Sequence, residues 1–335
     1  MRDLKALFSR VKTASLKRML RNVKNVHNDK GVNSVRIFFD MIYCGFKYKV
    51  GYLDYVIFGF ADIGSEKRRT FMTMDDNIYF VRKYNDRESR DIFEDKSRFN
   101  RVFAEYINRQ VLDLRDAGSA EFREFCRGKT AIFAKEPVSF GGLGVIKVEL
   151  GEDTDYEKLY KELMEGKLYD IEEMVVQHEK MNELYPKSVN TLRICTVLHG
   201  GKVKHMYTIV RMGNGKDVDN ATSGGLYTWV DNNGRMSRLA FCDKLARYFD
   251  THPITGVRFE GFEIPFFNEA VDLCKRAAMV VPQVQYVGWD VAITPSGPVI
   301  IEGNSFTGYD MPQNHKFHED RCGLLKQFKE AFGEV

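Results

Sequence analysis

The sequence predicts an α+β protein, with helices first and strands after. Two observations carry this expectation. Apolar residues recur at helical spacing through the early part of the chain, and alternating apolar runs separated by Gly/Asn turns dominate beyond Ser188. The 335 residues are 44% apolar and 13% aromatic, enough to bury a sizeable core in about two or three domains. Eight Pro and 27 Gly lie near background usage, and no low-complexity run or fixed-period repeat occurs. Disordered, collagen-like and solenoid classes are thereby set aside.

Residues 2–26 place Leu4, Phe8, Val11, Leu16, Leu20 and Val23 among Lys and Arg as a basic amphipathic helix, stopped near Gly31. The aromatic stretch 38–60 does not decide between helix and strand. Asp75-Asp76-Asn77 opens another helix. Phe99, Val102, Phe103, Tyr106, Ile107 and Val111 mark one face of a helix over 97–115, and a second helix over 119–127 ends at Gly128. Residues 130–134 and 145–150 read as a hairpin around the Gly-rich tip 139–144, followed by a helix over 155–165 and a strand over 169–176. Strands follow at 190–198, 202–211 and 226–230, then a helix within 265–282 and a hairpin over 288–304.

The net charge of +3 hides an asymmetry: the first 50 residues hold 12 Lys/Arg against 3 Asp/Glu, a net of +9, leaving −6 for the rest. Such an arm fits an anionic membrane surface, nucleic acid, an acidic partner, or simply a solvated helix face. The six Cys form no CxxC pair and no stretch has signal-peptide order, as for thiols kept reduced in a cytoplasm. Arg36, Asp40, Lys47, Lys49 and Asp54 interrupt the most apolar region, 35–60, so none of it reaches the roughly 18 uncharged residues of a membrane span. The expected location is cytoplasmic, with the arm able to lie on the inner face of a membrane.

The hairpin over 288–304 is the most informative segment. If its pairing centres on Ser296, Asp290 stands opposite Glu302 with Cβ atoms about 5 Å apart, and Asn304 shares the face of Glu302. Like charges across a ladder repel. A divalent cation removes the objection, and hard oxygen donors with positions left for water and phosphate suit Mg²⁺ held with a nucleotide rather than Zn²⁺. Pairing with Lys or Arg on an exposed hairpin is the other way to accommodate them. His315 and His318 lack partners at zinc-like spacing and receive no metal, and His252 before Pro253 could position a substrate or transfer a proton, although a lone His is more often structural.

These residues resemble the ATP-grasp superfamily, in which a strand Asp, then a strand Glu and an Asn two positions later, hold the magnesium ions that bridge the phosphates of ATP. Other parts stand in the same order. Lys96 and Lys135 resemble the two phosphate-contacting lysines, Ser139-Phe-Gly-Gly-Leu-Gly144 the loop that closes over the phosphates, and Tyr169-Asp-Ile-Glu-Glu-Met-Val-Val176 the strand and hinge that hold adenine. Gln177-His178 with Ser188-Val-Asn-Thr-Leu-Arg193, His252-Pro-Ile-Thr-Gly256 and Val287-Gly-Trp-Asp-Val-Ala292 are similar to the sugar-transfer-associated group of that superfamily. The resemblance runs from about Asp95 to Asp310. One position departs: where several ligases carry an Arg two residues before the metal-binding Asp, this chain has Gly288, so Arg193 or Arg211 is expected to face the transferring phosphate instead.

The resemblance implies an ATP-grasp fold, two α+β subdomains clamping ATP, over 95–335, with a lid-bearing part at about 129–180 and a metal-binding part at about 188–335. A mainly helical module over 1–94 would precede it. ATP and Mg²⁺ are the implied cofactors, the metal on Asp290, Glu302 and Asn304. Lys96, Lys135, Ser139, Gly141, Gly142 and Gly144 would meet the phosphates; Glu172, Glu173, Met174, Val175, His178 and Asn190 would surround the rest of the nucleotide. Lys135, Arg193 and Arg211 would supply the cations of catalysis. The implied reaction is activation of a carboxylate to an acyl phosphate and its capture by an amine, with small-molecule or glycan substrates in surface polysaccharide synthesis and no nucleic acid. A kinase acting on a hydroxyl, or a nucleotide-binding docking subunit of a glycan-synthesis complex, would use the same residues. A small polar loop holding Asn220, Ser223, Gly224 and Gly225 could face the acyl substrate or form a plain turn.

Overall fold

The computed structural model describes residues 16–138, 144–215, 219 and 224–334. The chain opens with α1 (Leu16–Lys30), which ends where Gly31, at φ +67°, donates its N–H to His27 O. Helix α2 (Ser34–Tyr48) starts at Asn33, whose side chain accepts from the Val35 and Arg36 N–H groups, and α3 (Tyr52–Ile57) follows. The undecided stretch 38–60 is thus largely helical. Helix α2 is apolar on both sides, which flattens the periodic signal a sequence reading depends on. Thr73 and Asp76 form a capping box that starts α4 (Met74–Tyr84).

The helix expected over 97–115 is shorter. Helix α5 (Lys96–Val102), capped by Asp95, is followed by one further turn, Ala104–Ile107, and Asn108 then takes a left-handed conformation at φ 41°. Asn tolerates that region, and the chain leaves it as strand β1 (Val111–Asp113), paired with β4 (Asp170–Glu173). Partner hydrogen bonds outside the segment override its helical spacing.

Among the described residues, eleven strands form two antiparallel sheets. The smaller has the order β1-β4-β2-β3, with β2 (Ala131–Lys135) and β3 (Val145–Glu149) forming the expected hairpin. Ile132, Ala134 and Ile171 pack beneath α6 (Ser119–Cys126) and α7 (Tyr156–Glu165). Phe133, Lys135 and Glu172 take the opposite face by alternation.

The larger sheet has the order β11-β10-β5-β6-β7-β8-β9. Its strands are β5 (Thr191–His199), β6 (Lys202–Met212), β7 (Leu226–Val230), β8 (Ala240–Cys242), β9 (Arg247–Phe249), β10 (Tyr286–Thr294) and β11 (Gly297–Asn304). One face, with Leu192, Ile194, Val210, Trp289 and Val291, packs on Phe99, Phe103 and helix α8 (Phe267–Ala277). The other face divides along its length. Cys195, Val197, Tyr207 and Tyr286 meet the N-terminal helices and α9 (Leu325–Ala331), whereas the end carrying Arg193, Arg211, Asp290 and Glu302 stays polar.

Candidate active site

Strand register assembles the polar end of the large sheet. On β10, Asp290 pairs with Arg193 of β5 on one side and with Glu302 of β11 on the other, so the three stand in one row on one face. Arg211 of β6 opposes Thr191, two residues before Arg193, and projects on that face as well. Asp290 stands opposite Glu302, as the sequence predicts, but the hairpin is not centred on Ser296. Thr294 pairs with Gly297 around a two-residue turn, and a bulge between Ile300 and Glu302 shifts the ladder by one residue. Without that extra residue Glu302 would face the wrong side.

Arg109 holds the bulge. Its Nη1 and Nη2 donate to Ile300 O at 2.8 Å and Ile301 O at 3.1 Å, while Nε donates to Glu172 Oε2 at 2.9 Å on the small sheet. One buried guanidinium therefore ties the two sheets together at the point that sets the register. Sequence reading missed this residue: nothing local marks an Arg whose partners lie 63 and about 190 positions away.

Two charge clusters face each other across a cavity of about 620 Å³, a size suited to a small-molecule ligand. On the large sheet, the Asp290 carboxylate accepts from Arg193 Nε at 2.5 Å and Nη2 at 3.0 Å, and forms an ion pair with Arg211 Nη2 at 2.8 Å. Burial would raise the Asp290 pKa, but Arg193 and Arg211 hold it well below the usual carboxylate range. Glu302 is pushed above its ordinary value, by burial first and then by Asp290. Arg193 is 8% exposed and Asp290 2% exposed, so the sequence alternative of a surface ion pair on an exposed hairpin does not describe them. Arg193 and Arg211 thus offset the charge of Asp290, one of the two opposed carboxylates.

On the small sheet, Glu172 Oε2 accepts from Lys135 Nζ at 2.6 Å as well as from Arg109, and Asn100 Nδ2 donates to Oε1 at 3.2 Å. Burial opposes the Glu172 charge, but Arg109 and Lys135 hold its pKa well below the usual range, while Asp170 beside it is raised by burial and by Glu172. Lys96, at the start of α5, donates to Glu136 O at 3.3 Å, and its pKa is lowered by burial. Arg90 and Asp219 also line the cavity. Arg90 Nη2 pairs with Glu94 at 3.2 Å, and Asp219 accepts from the Thr191 N–H at 3.1 Å. Both were missed, since each lies in a stretch with no periodic or motif signal of its own.

The remaining expected residues divide. Glu173 and Val175 reach the cavity, while Met174, His178, Asn190 and Gly144 are not among its lining residues. His178 Nδ1 accepts from the Lys180 N–H and so caps the short helix Glu179–Leu184. Fully buried Asn190 donates to Gln177 Oε1, Met181 O and Tyr185 O, which fixes the chain entering β5. His178 Nδ1 and the Asn190 amide thus hold the chain around the short helix and the start of β5. Gly144, at φ +66°, accepts from the Glu136 N–H at the base of the hairpin. Ser139, Gly141, Gly142, Asn220 and Ser223 lie outside the described residues. His252 accepts from the Ile254 and Thr255 N–H groups and stacks on Tyr185, a structural arrangement.

Gly288 has a steric explanation. A Cβ there would strike Thr307 and come within 3.1 Å of Arg193 Cδ, so the stem of Arg193 fills the space a side chain at 288 would need. Asp290, Glu302 and Asn304 have the donor chemistry of a hard-cation site, two carboxylates and an amide oxygen, and a cation there would offset the burial and the Asp290 charge that push Glu302 up. The Asn304 nitrogen donates to Gly288 O and Glu302 Oε1, which orients the amide. Among the described residues no three His, Cys, Asp or Glu side chains gather as a metal cluster, so the other positions of such a cation would fall to water and phosphate.

Residues 158–316, just under half of the chain, match the family model described as Sugar-transfer associated ATP-grasp. Lys96 and Lys135 precede that interval. Among solved structures, the chain is similar to the D-alanine-D-alanine ligase from Coxiella burnetii, at 11% identity and TM-score 0.42, covering 72% of this chain and 57% of that one. It is also similar to D-alanyl-alanine synthetase A from Vibrio cholerae, at 13% identity and TM-score 0.44, covering 73% and 65%. A third is the ATP-grasp ligase PsnB complexed with minimal precursor, at 14% identity and TM-score 0.42, covering 74% and 61%. The chain spans less than two thirds of the length of each. No curated protein matches it.

Proposed function

We propose that this chain, whose residues 158–316 match the family model described as Sugar-transfer associated ATP-grasp, is an ATP- and Mg²⁺-dependent carboxylate–amine ligase. The carrying observation is one cavity onto which Glu302, Asn304, Asp290, Arg193 and Arg211 open from one sheet and Lys135 from the other, with Lys96 at the start of α5. Bound there, Mg²⁺ would neutralise charge on the nucleotide phosphates. Lys96 and Lys135 orient those phosphates, and the guanidinium of Arg193, fixed by Asp290, faces the oxygen charge that develops as phosphoryl passes to the substrate carboxylate. Preorganisation supplies most of the effect, because Arg193 is locked before substrate arrives. The amine then attacks the acyl carbon and phosphate leaves.

The family description supports a saccharide-linked role, and we place the substrates among sugar acids or other carboxylates and amino acids or amines of surface polysaccharide synthesis. The test is ADP release with Mg-ATP against a panel of such pairs, followed by product analysis. A ligase yields ADP, phosphate and an amide. A phosphorylated acceptor without free phosphate would make the protein a kinase, and no turnover with any pair, despite Mg-ATP binding, would make it a nucleotide-binding subunit.

A further inference from the structure

We propose that the outer face of α2, with the adjoining end of α1, docks on an anionic lipid surface. Along α2 the exposed residues include Val35 (63%), Phe39 (64%), Ile42 (37%), Tyr43 (48%) and Phe46 (77%). At about 100° per residue these five fall within an arc of roughly 100°, on the side opposite Ile37, Met41 and Cys44, which enter the core. Soluble surfaces carry large apolar residues singly; five on one helix face form a surface that something covers. Leu16 (61%) and Leu20 (50%) are likewise exposed on α1, which packs against α2.

Charge identifies the occupant. Arg36 and Lys47 border the apolar arc, and Arg18, Arg21, Lys24 and Lys49 are exposed nearby in the chain. The acids of this helix pair are engaged from outside it: Asp29 by Lys316 at 3.0 Å and Asp40 by Arg68 at 2.6 Å. The Lys47 ammonium lies over the Tyr43 and Tyr48 rings, 5.0 and 5.6 Å from their centroids, so positive charge sits at the margin of the apolar arc. An apolar stripe with a basic border is the pattern of a helix lying in the plane of a membrane interface, where each base is attracted by anionic headgroups. A second copy of the chain would bring the same positive border and be repelled by it.

The proposal does not depend on the ligase reading. It is tested by co-sedimentation of the full chain with phosphatidylcholine vesicles, with and without phosphatidylglycerol. Sedimentation is expected only with the anionic vesicles. Phe39→Ser with Phe46→Ser should lower vesicle partitioning by about tenfold or more, and Arg36→Glu with Lys47→Glu should remove the preference for anionic lipid. Both pairs are exposed, so the thermal midpoint should stay at the wild-type value. Absence of vesicle binding, equal binding to neutral vesicles, or wild-type binding by the Phe variant would overturn the proposal. So would a dimer in light scattering that dissociates in the Phe variant, which would assign the face to a second copy.

Discussion

The two charge clusters across the cavity have the same composition and opposite openness. Each holds two carboxylates and two cations: Asp170 and Glu172 with Arg109 and Lys135, Asp290 and Glu302 with Arg193 and Arg211. In each, one carboxylate is held ionised by its cations and the other is pushed up by burial and by its neighbour. The difference lies in where the second carboxylate points. Asp170 is 1% exposed and is not among the cavity-lining residues, with Asn100 donating to its Oδ1 at 3.1 Å. Glu302 lines the cavity beside Asn304. The first cluster brings Lys135 and Glu172 to the cavity but keeps its raised carboxylate behind them; the second turns its raised carboxylate into the cavity. Ion pairing alone therefore does not mark a site, whereas a raised carboxylate facing a cavity does.

Arg109→Met should break the comparison most severely. It strands Glu172 beside a single lysine and frees both bulge carbonyls, and a loss of about 3–5 kcal/mol in urea unfolding is expected. Arg109→Lys should recover only part of it, since an ammonium cannot span both carbonyls and the carboxylate. A loss below about 1 kcal/mol for the Met variant would remove Arg109 from its joining role.

Gly288→Ala comes next. Its Cβ would displace Thr307 and the Arg193 stem, at a cost of about 1–3 kcal/mol, with ADP formation falling more steeply than stability because Arg193 moves. Equal activity would show that Arg193 can be relocated without consequence.

Two histidines outside both clusters give a smaller, pH-dependent effect. Burial lowers His205 and His315 to about 4 from an ordinary 6.5. The unfolded chain then takes up protons that the folded one refuses, so stability falls as pH drops from about 6.5 toward 4 and is flat above. By pH 5 each ring should cost on the order of 1–2 kcal/mol. His205→Gln should flatten that part of the profile in chemical denaturation; an unchanged slope would assign it to other groups.

Asp170→Asn should have the smallest effect. Removing a carboxyl whose charging is already opposed leaves Lys135 and Arg109 on Glu172, and ADP formation should stay within about twofold of wild type.

The fold class and most of the strands were legible because their apolar alternation is local. So was the Asp290–Glu302 pairing, although the ladder reaches it through a bulge that no residue pattern announces. The α2 stretch was not legible, because a helix apolar on both sides has no contrast to read. Arg109 was illegible for a different reason: its meaning is wholly in long-range partners. His178 and Asn190 have motif positions but spend their polar atoms on the backbone, which only coordinates reveal.

The central claim is that Glu302 is a ligand residue and Asp170 is not. Calorimetric titration of Mg-ATP into wild type, Glu302→Gln and Asp170→Asn, with and without Mg²⁺, tests it directly. Glu302→Gln should lose the Mg²⁺-dependent part of the affinity while its thermal midpoint holds or rises, and Asp170→Asn should bind as wild type does. Wild-type Mg²⁺ dependence in Glu302→Gln would contradict it.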